Sequence, residues 1–337
     1  MTTEAAIDSG VDSAKPSPAK SKRAGIVEAA VRIKKVSKHF GMKVAVDDLT
    51  MYVPTGMVYG LIGPNGAGKT TTFSMLAGYL APSEGQVEIL GFAPTNVDAL
   101  RGKLGVLPQD AMLPASDTVG EFLVHMARLQ GIPRVKAMSK SREALEEVEG
   151  KDWWKVRCGA LSHGMAKRVA LAQALLGDPE VVLLDEPTAG LDPRVAYEVR
   201  QLIKSRKGRC TLVVSSHNLQ ELEEICDAAA ILDRGKLVAS GTIAELTSST
   251  EEVHFRVAPP LTPPGAKIPL DLVRGIPIVK LAEYDDLRGE LAVHFDRDKA
   301  DAETVIESVL RVLLDQRVRI SGVSKGRGLE QRVMDLT

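Results

Sequence analysis

The chain has 337 residues, 44% hydrophobic and 26% charged, with a formal net charge of -1; this excludes a disordered or fibrous class for the bulk and leaves room for one large domain, alone or with a small one. Such a balance argues against a protein that mainly coats nucleic acid, and no nucleic-acid partner is expected. The three cysteines, Cys158, Cys210 and Cys226, form no C-x-x-C pair, so neither a disulfide framework nor a zinc site is indicated and a reducing compartment fits.

Residues 1 to about 25 are rich in Ala, Ser, Lys and Pro without a hydrophobic period and read as a flexible tail; Lys20, Lys22 and Arg23 are too few for a nucleic-acid arm. The sequence shows neither an apolar signal core nor a run approaching the roughly 18 to 20 apolar residues of a membrane span, so the chain is expected not to cross a membrane itself. From Val31 onward, short β-branched runs alternate with amphipathic stretches, at 58–62, 87–90, 104–107, 181–184, 211–215 and 229–232. That alternation predicts an α/β core with a largely parallel sheet. Between about Asp110 and Asp178 the strand signal disappears, and Phe122, Leu123, Met126 and Leu129, then Leu145 and Val148, recur at helical spacing, which predicts an inserted helical subdomain.

After about Ser249, Pro259, Pro260, Pro263 and Pro264 mark a break before a small α+β region. Strands are expected at 252–258, 277–281 and 290–295, and a helix at 301–314 with Val305, Ile306, Val309, Leu310 and Leu313 on one side. The expected organisation is a tail over 1–25, a main domain over 26–248 and an accessory domain over 249–337.

The chemistry begins at Gly63-Pro64-Asn65-Gly66-Ala67-Gly68-Lys69-Thr70, followed by Thr71, which fits G-x-x-x-x-G-K-[ST] directly after an apolar strand and before a helical stretch. Glycines let the backbone wrap phosphates, so that N–H groups and the helix N-terminus point at the anion. Lys69 is expected to reach the β and γ phosphates of ATP, and Thr70 to offer a hydroxyl to Mg²⁺. A buried-type run then ends in Asp185-Glu186-Pro187. Carboxylates at a strand's C-terminal end sit where α/β sheets bind ligands, with Asp185 the candidate Mg²⁺ ligand and Glu186 the candidate general base for water.

Many ATPases share those two motifs; Leu161-Ser162-His163-Gly164-Met165 narrows the field, because it resembles the signature sequence of ABC ATPases. Phe40, Gln109, Gly190-Leu191-Asp192 and His217 occur around it in that family's order, and the resemblance spans nearly two thirds of the chain. It implies a P-loop NTPase core of the ABC ATPase type. By resemblance, Phe40 stacks on adenine, Gln109 senses Mg²⁺ and the attacking water, and His217 donates to the γ-phosphate. Ser162 and the backbone of Gly164 serve the nucleotide bound to the opposite protomer, and Asp192 lies at the same seam. The resemblance therefore implies a dimer, here expected to be a homodimer, partnered with separate integral membrane permeases at the inner face of the cell membrane.

Two signature positions depart from the commonest form, His163 replacing a glycine and Met165 a glutamine. Together with Leu107-Pro108-Gln109 and the 328–332 segment, they look like subunits of the export branch. The rival reading is a soluble ABC-type ATPase acting on ribosomes or nucleic acid. It usually carries two cassettes or long coiled-coil insertions, and neither is seen in this sequence. Trp153 and Trp154 read as partly buried packing residues, and His39, His125, His254 and His294 show no metal-ligand spacing.

Overall fold

The computed structural model describes residues 29–248, 252–258, 268–296 and 298–325, together with 329, 333 and 334. The expected tail, the proline break and most of the 328–332 segment lie outside the described residues.

In chain order the first region holds β1 (Ala29–Phe40), β2 (Lys43–Pro54), β3 (Val58–Ile62), α1 (Lys69–Leu76), β4 (Glu84–Ile89), α2 (Val97–Leu100) and β5 (Leu104–Leu107). Three longer helices follow, α3 (Val119–Leu129), α4 (Arg134–Glu147) and α5 (His163–Leu175). The core then resumes with β6 (Val181–Asp185), α6 (Pro193–Ser205), β7 (Thr211–Ser215), α7 (Leu219–Ile225), β8 (Ala228–Asp233), β9 (Lys236–Thr242) and α8 (Ile243–Ser248).

The main sheet has the order β5-β6-β7-β3-β8-β9, parallel throughout except for the β8–β9 pair. Strands β3, β6 and β7 are buried at all five positions, as parallel strands covered on both faces must be. Their side chains alternate between two cores: Val182, Leu184, Leu212 and Val214 pack toward the helical region, and Val181, Leu183 and Val213 toward α1, β1 and β2. In register, Ser215 lies beside both Leu61 and Asp185, so the carboxyl ends of β3, β7 and β6 stand side by side.

One expected strand belongs elsewhere. The 87–90 run is not in the parallel sheet but in the three-stranded antiparallel sheet β2-β1-β4. Its pattern explains the placement, since only Val87 and Ile89 are buried along β4, and alternation is the mark of a sheet wet on one side. The paired strands β1 and β2 have no counterpart in the expected set. In β1 the alternation of Val31 and Ile33 is broken before Val36 by Lys35, whose φ of 48° accompanies a register shift.

The helical region forms as expected. A capping box opens α3, in which the Glu121 amide donates to the Thr118 hydroxyl (3.3 Å) and the Thr118 amide to the Glu121 carboxylate (2.9 Å). Phe122, Leu123, Leu145 and Val148 are buried, whereas Leu129, at the end of α3, is exposed. Trp153 and Trp154 are half-buried, with the guanidinium of Arg168 4.6 Å from the Trp153 ring and that of Arg142 4.1 Å from the Trp154 ring. The three cysteines are free thiols, all buried.

The second region comprises β10 (Glu252–Val257), α9 (Leu270–Arg274), β11 (Val279–Asp285), β12 (Glu290–Phe295), α10 (Ala302–Asp315) and β13 (Ile320–Lys325). These strands form an antiparallel sheet of order β11-β12-β10-β13. Val305, Val309 and Leu313 on α10 pack on Val253, Phe255, Val293 and Phe295 in a separate core. The strand expected at 277–281 begins at Val279 and continues to Asp285, because Ile276 and Pro277 belong to the turn that leaves α9.

The end of the chain crosses back. Leu329 and Val333 are buried in the same core as Leu222 and Ile225 of α7, and the Leu329 amide donates to the Glu223 carboxylate at 3.2 Å. Leu329 and Val333 therefore pack with the first region, apart from the core that Val253 to Ile320 build. Both tryptophans sit in the first region, so their fluorescence follows its unfolding alone. Leu329→Ala is expected to lower the stability reported by tryptophan fluorescence in urea by about 2–4 kcal/mol, the cost of truncating a buried leucine; an unchanged midpoint would contradict this packing.

Candidate functional site

Two glycines of the loop between β3 and α1 stand where a side chain would clash with backbone. A Cβ on Gly63 would lie 2.2 Å from the Leu232 carbonyl oxygen, and one on Gly68, which has φ 97°, would lie 2.7 Å from that of Ala45. Gly68 is also the N-cap of α1 and brings no capping side chain, so the first amides of the helix are available to an anion. The Lys69 ammonium curls into the loop, donating to the carbonyls of Gly63 (2.6 Å) and Pro64 (3.1 Å). Burial holds its pKa below the ordinary lysine range, against the opposing carboxylates of Glu186 and Asp185. Thr70 is exposed and Thr71 half-buried at the start of α1, while Pro64, Asn65 and Gly66 form the exposed rim and Ala67 is buried.

At the end of β6, Asp185 is only 5% exposed. Burial raises its carboxyl above the ordinary range; the Ser215 hydroxyl, which donates to it, and the ammonium groups of Lys167 and Lys69 oppose the rise, while Glu186 adds to it. Glu186 follows in a left-handed conformation, φ 49°, rare for a side chain of this size. The turn aims its carboxylate at the next strand end, where it accepts from the His217 amide (3.0 Å) and meets His217 Nδ1 at 2.9 Å. Since the carboxylate only accepts, Nδ1 carries the proton of this bond. The imidazole itself is 69% exposed, leaving Nε2 as the nitrogen that Glu186 does not engage. The expected donor to phosphate is thus tied directly to the expected base, a contact that sequence spacing did not reveal.

Gln109 follows β5 and is exposed. Its carbonyl accepts from the ammonium of Lys167 at 3.0 Å. Sequence reasoning missed Lys167, although a signal was present: it shares a face of α5 with the apolar Ala170, Leu171 and Ala174 and is 7% exposed, and a lysine in such company must be paired.

Ser162, Gly164 and Asp192 form a second group. Ser162 is the exposed N-cap of α5, its hydroxyl accepting from the Met165 amide at 3.3 Å. A Cβ on Gly164 would lie 3.6 Å from the Leu191 side chain, and one on Gly190 2.9 Å from His163 Nε2. The unusual His163 therefore lies against the 190–192 loop. Asp192 is exposed at the N-cap of α6, ahead of Pro193. Among the described residues, no hydrogen bond joins this group to Lys69, Asp185 or Glu186. A cleft of about 450 Å³ is bordered by Gly190, Leu191 and Pro193 on one side and His217, Asn218 and Gln220 on the other. Phe40 stands apart at the end of β1, 51% exposed, with the Lys38 ammonium 5.3 Å from its ring centroid.

This geometry has relatives. The ABC transporter family matches residues 46–189, and Nod factor export ATP-binding protein I of Paraburkholderia xenovorans (strain LB400) is 36% identical over 224 residues, 66% of this chain and 74% of that protein. The chain belongs to the ABC transporter ATP-binding proteins. It is 36% identical over 226 residues to the ABC transporter ATP-binding protein YxlF of Bacillus subtilis (strain 168), covering 67% of this chain and 75% of that one. A solved ATP-binding subunit of an ABC transporter superposes with a TM-score of 0.60 at 26% identity, over 64% of this chain and 91% of the other. Like the family, the chain is a nucleotide-binding ATPase with a P-loop NTPase core. Among the described residues no helix is long and apolar enough to cross a membrane.

Three charges here, on half-buried Lys69 and buried Lys167 and Asp185, are all shifted toward their neutral forms, chiefly by burial. For Asp185 the folded chain holds the proton more tightly than the unfolded one, so its contribution to stability is present at low pH and lost as pH rises through the raised value. Asp185→Asn, without nucleotide, is therefore expected to unfold at a higher temperature than the parent at pH 7.5, with the gap narrowing as pH falls through the carboxylate range. Calorimetry across pH checks this, and a lower melting temperature at pH 7.5 would contradict it.

Proposed function

We propose that this chain is the ATP-hydrolysing motor subunit of an export ABC transporter, working as a dimer against separate membrane permeases at the inner face of the cell membrane. The observation that carries the reading is the bonded pair Glu186–His217 at the ends of β6 and β7, beside the Lys69 loop at the end of β3. In that arrangement the Lys69 loop receives the phosphates of ATP, and Phe40 offers an aromatic face to adenine. Glu186 takes the proton of the attacking water; His217 donates Nδ1–H to that carboxylate and, in its imidazolium form, Nε2–H to the γ-phosphate.

Among the described residues no three His, Cys, Asp or Glu side chains are grouped to hold a metal alone. Asp185 nonetheless fits Mg²⁺ arriving with the nucleotide, because Ser215 engages one carboxylate oxygen and leaves the other as a hard oxygen ligand. Thr70 and Gln109 are the remaining candidate ligands. Mg²⁺ bound there would neutralise charge on the phosphate oxygens.

Ser162, Gly164 and Asp192 face outward as a separate group, which supports their use on the nucleotide of a second chain. Residues 26–248 act as the nucleotide-binding unit and 249–337 as an accessory unit, latched back through Leu329 and Val333. Export is favoured by the relative named a Nod factor export ATP-binding protein.

Glu186→Gln is the test. ATP binding should stay within about threefold of the parent while the hydrolysis rate falls by about 100-fold or more, and Mg-ATP should convert the variant to a dimer on a sizing column. Hydrolysis at the parental rate would sink the assignment.

A further inference from the structure

Helix α5 joins two polar side chains with different destinations. Ser162 caps its N-terminus on the outer surface, and five positions later Lys167 points inward. The Lys167 ammonium donates to the Gln109 carbonyl at 3.0 Å and feels the carboxylates of Asp185, Glu186 and Asp110. On an otherwise apolar helix face a methionine or leucine would avoid the cost of removing an ammonium from water, and replacing buried ions by apolar groups is often neutral or stabilising. Retaining the cation therefore needs a reason besides stability. The contacts supply one. Lys167 is the described link by which a side chain of the signature helix holds the backbone of Gln109, and it holds it next to the acidic pair.

We propose that Lys167 is a positioning residue that fixes Gln109 beside Asp185 and Glu186 and transmits the engagement of Ser162 to the hydrolytic site of its own chain. Ser162 and Lys167 are about 7.5 Å apart along a rigid helix, so a shift at one end is delivered at the other. In a head-to-tail dimer each α5 thus acts on both nucleotide sites, Ser162 on the partner's and Lys167, through Gln109, on its own. This inference rests on the roles given above to Ser162 and Glu186.

The test uses the full chain, with ATPase rates measured at saturating Mg-ATP and binding measured with a fluorescent ATP analogue. Lys167→Met is expected to lower kcat by about tenfold or more, since small misplacements of reacting groups are costly, while analogue affinity stays within about threefold. Lys167→Arg should restore at least about half of the parental kcat, because it keeps the donor and the charge. If Ser162 acts through Lys167, the double variant Ser162→Ala, Lys167→Met should be no slower than the worse single variant, the non-additivity of groups on one path.

Parental kcat in Lys167→Met, or no recovery in Lys167→Arg, would overturn the positioning role. Penalties that multiply in the double variant would overturn the transmission. Should Lys167→Met not fold, Lys167→Gln, neutral but still a donor, is judged by the same arms with recovery expected to be partial. Glu186→Gln run alongside separates the two readings: when it is inactive, the outcome bears on Lys167 alone, and when it is active the underlying assignment falls first.

Discussion

Opposite charges held out of water at the ends of three neighbouring parallel strands are the constraint on which this structure turns. Asp185 and Glu186 end β6, Ser215 and His217 follow along or beyond β7, and the Lys69 loop leaves β3. Two ammonium groups, Lys69 from the loop and Lys167 from α5, face the two carboxylates. Burial works against the charge of Asp185 and of both lysines, so the folded chain is less stable at this point than an apolar packing would be. Sites that bind and react with charged ligands carry strain of this kind, and the rest of the sheet, with its fully buried strands, supplies the stability that offsets it.

The backbone contributes its own share. Glu186 occupies a left-handed conformation, and Gly63 and Gly68 occupy positions that a Cβ would fill. All three lie at turns that leave the sheet's carboxyl edge, where ligands of α/β proteins bind. The strain and the buried charge thus fall at one place, while α5 reaches from that place to the exposed Ser162 group.

Much of this was legible in the sequence because it is local. The loop fits a spaced pattern, the acidic pair ends an apolar run, and 58–62 and 211–215 are strands at those positions. The elements that went unread depend on partners distant in sequence. Strand β4 pairs with β1 rather than with the parallel sheet, and only its half-buried alternation hinted at that. The Glu186–His217 bond joins residues 31 apart, and the Lys167–Gln109 bond joins residues 58 apart; neither leaves a periodic trace. Leu329 and Val333 looked like part of a small accessory domain, because nothing in an isolated leucine says which core it enters.

In the proposed mechanism hydrolysis is the work of two chains, with the Ser162 group of one serving the nucleotide beside Glu186 of the other. The most direct measurement is therefore the ATPase rate per chain as a function of protein concentration at saturating Mg-ATP. The account predicts a rate per chain that rises with concentration and then levels off as dimers form. A rate per chain that is constant down to concentrations where sizing shows only monomer would contradict it.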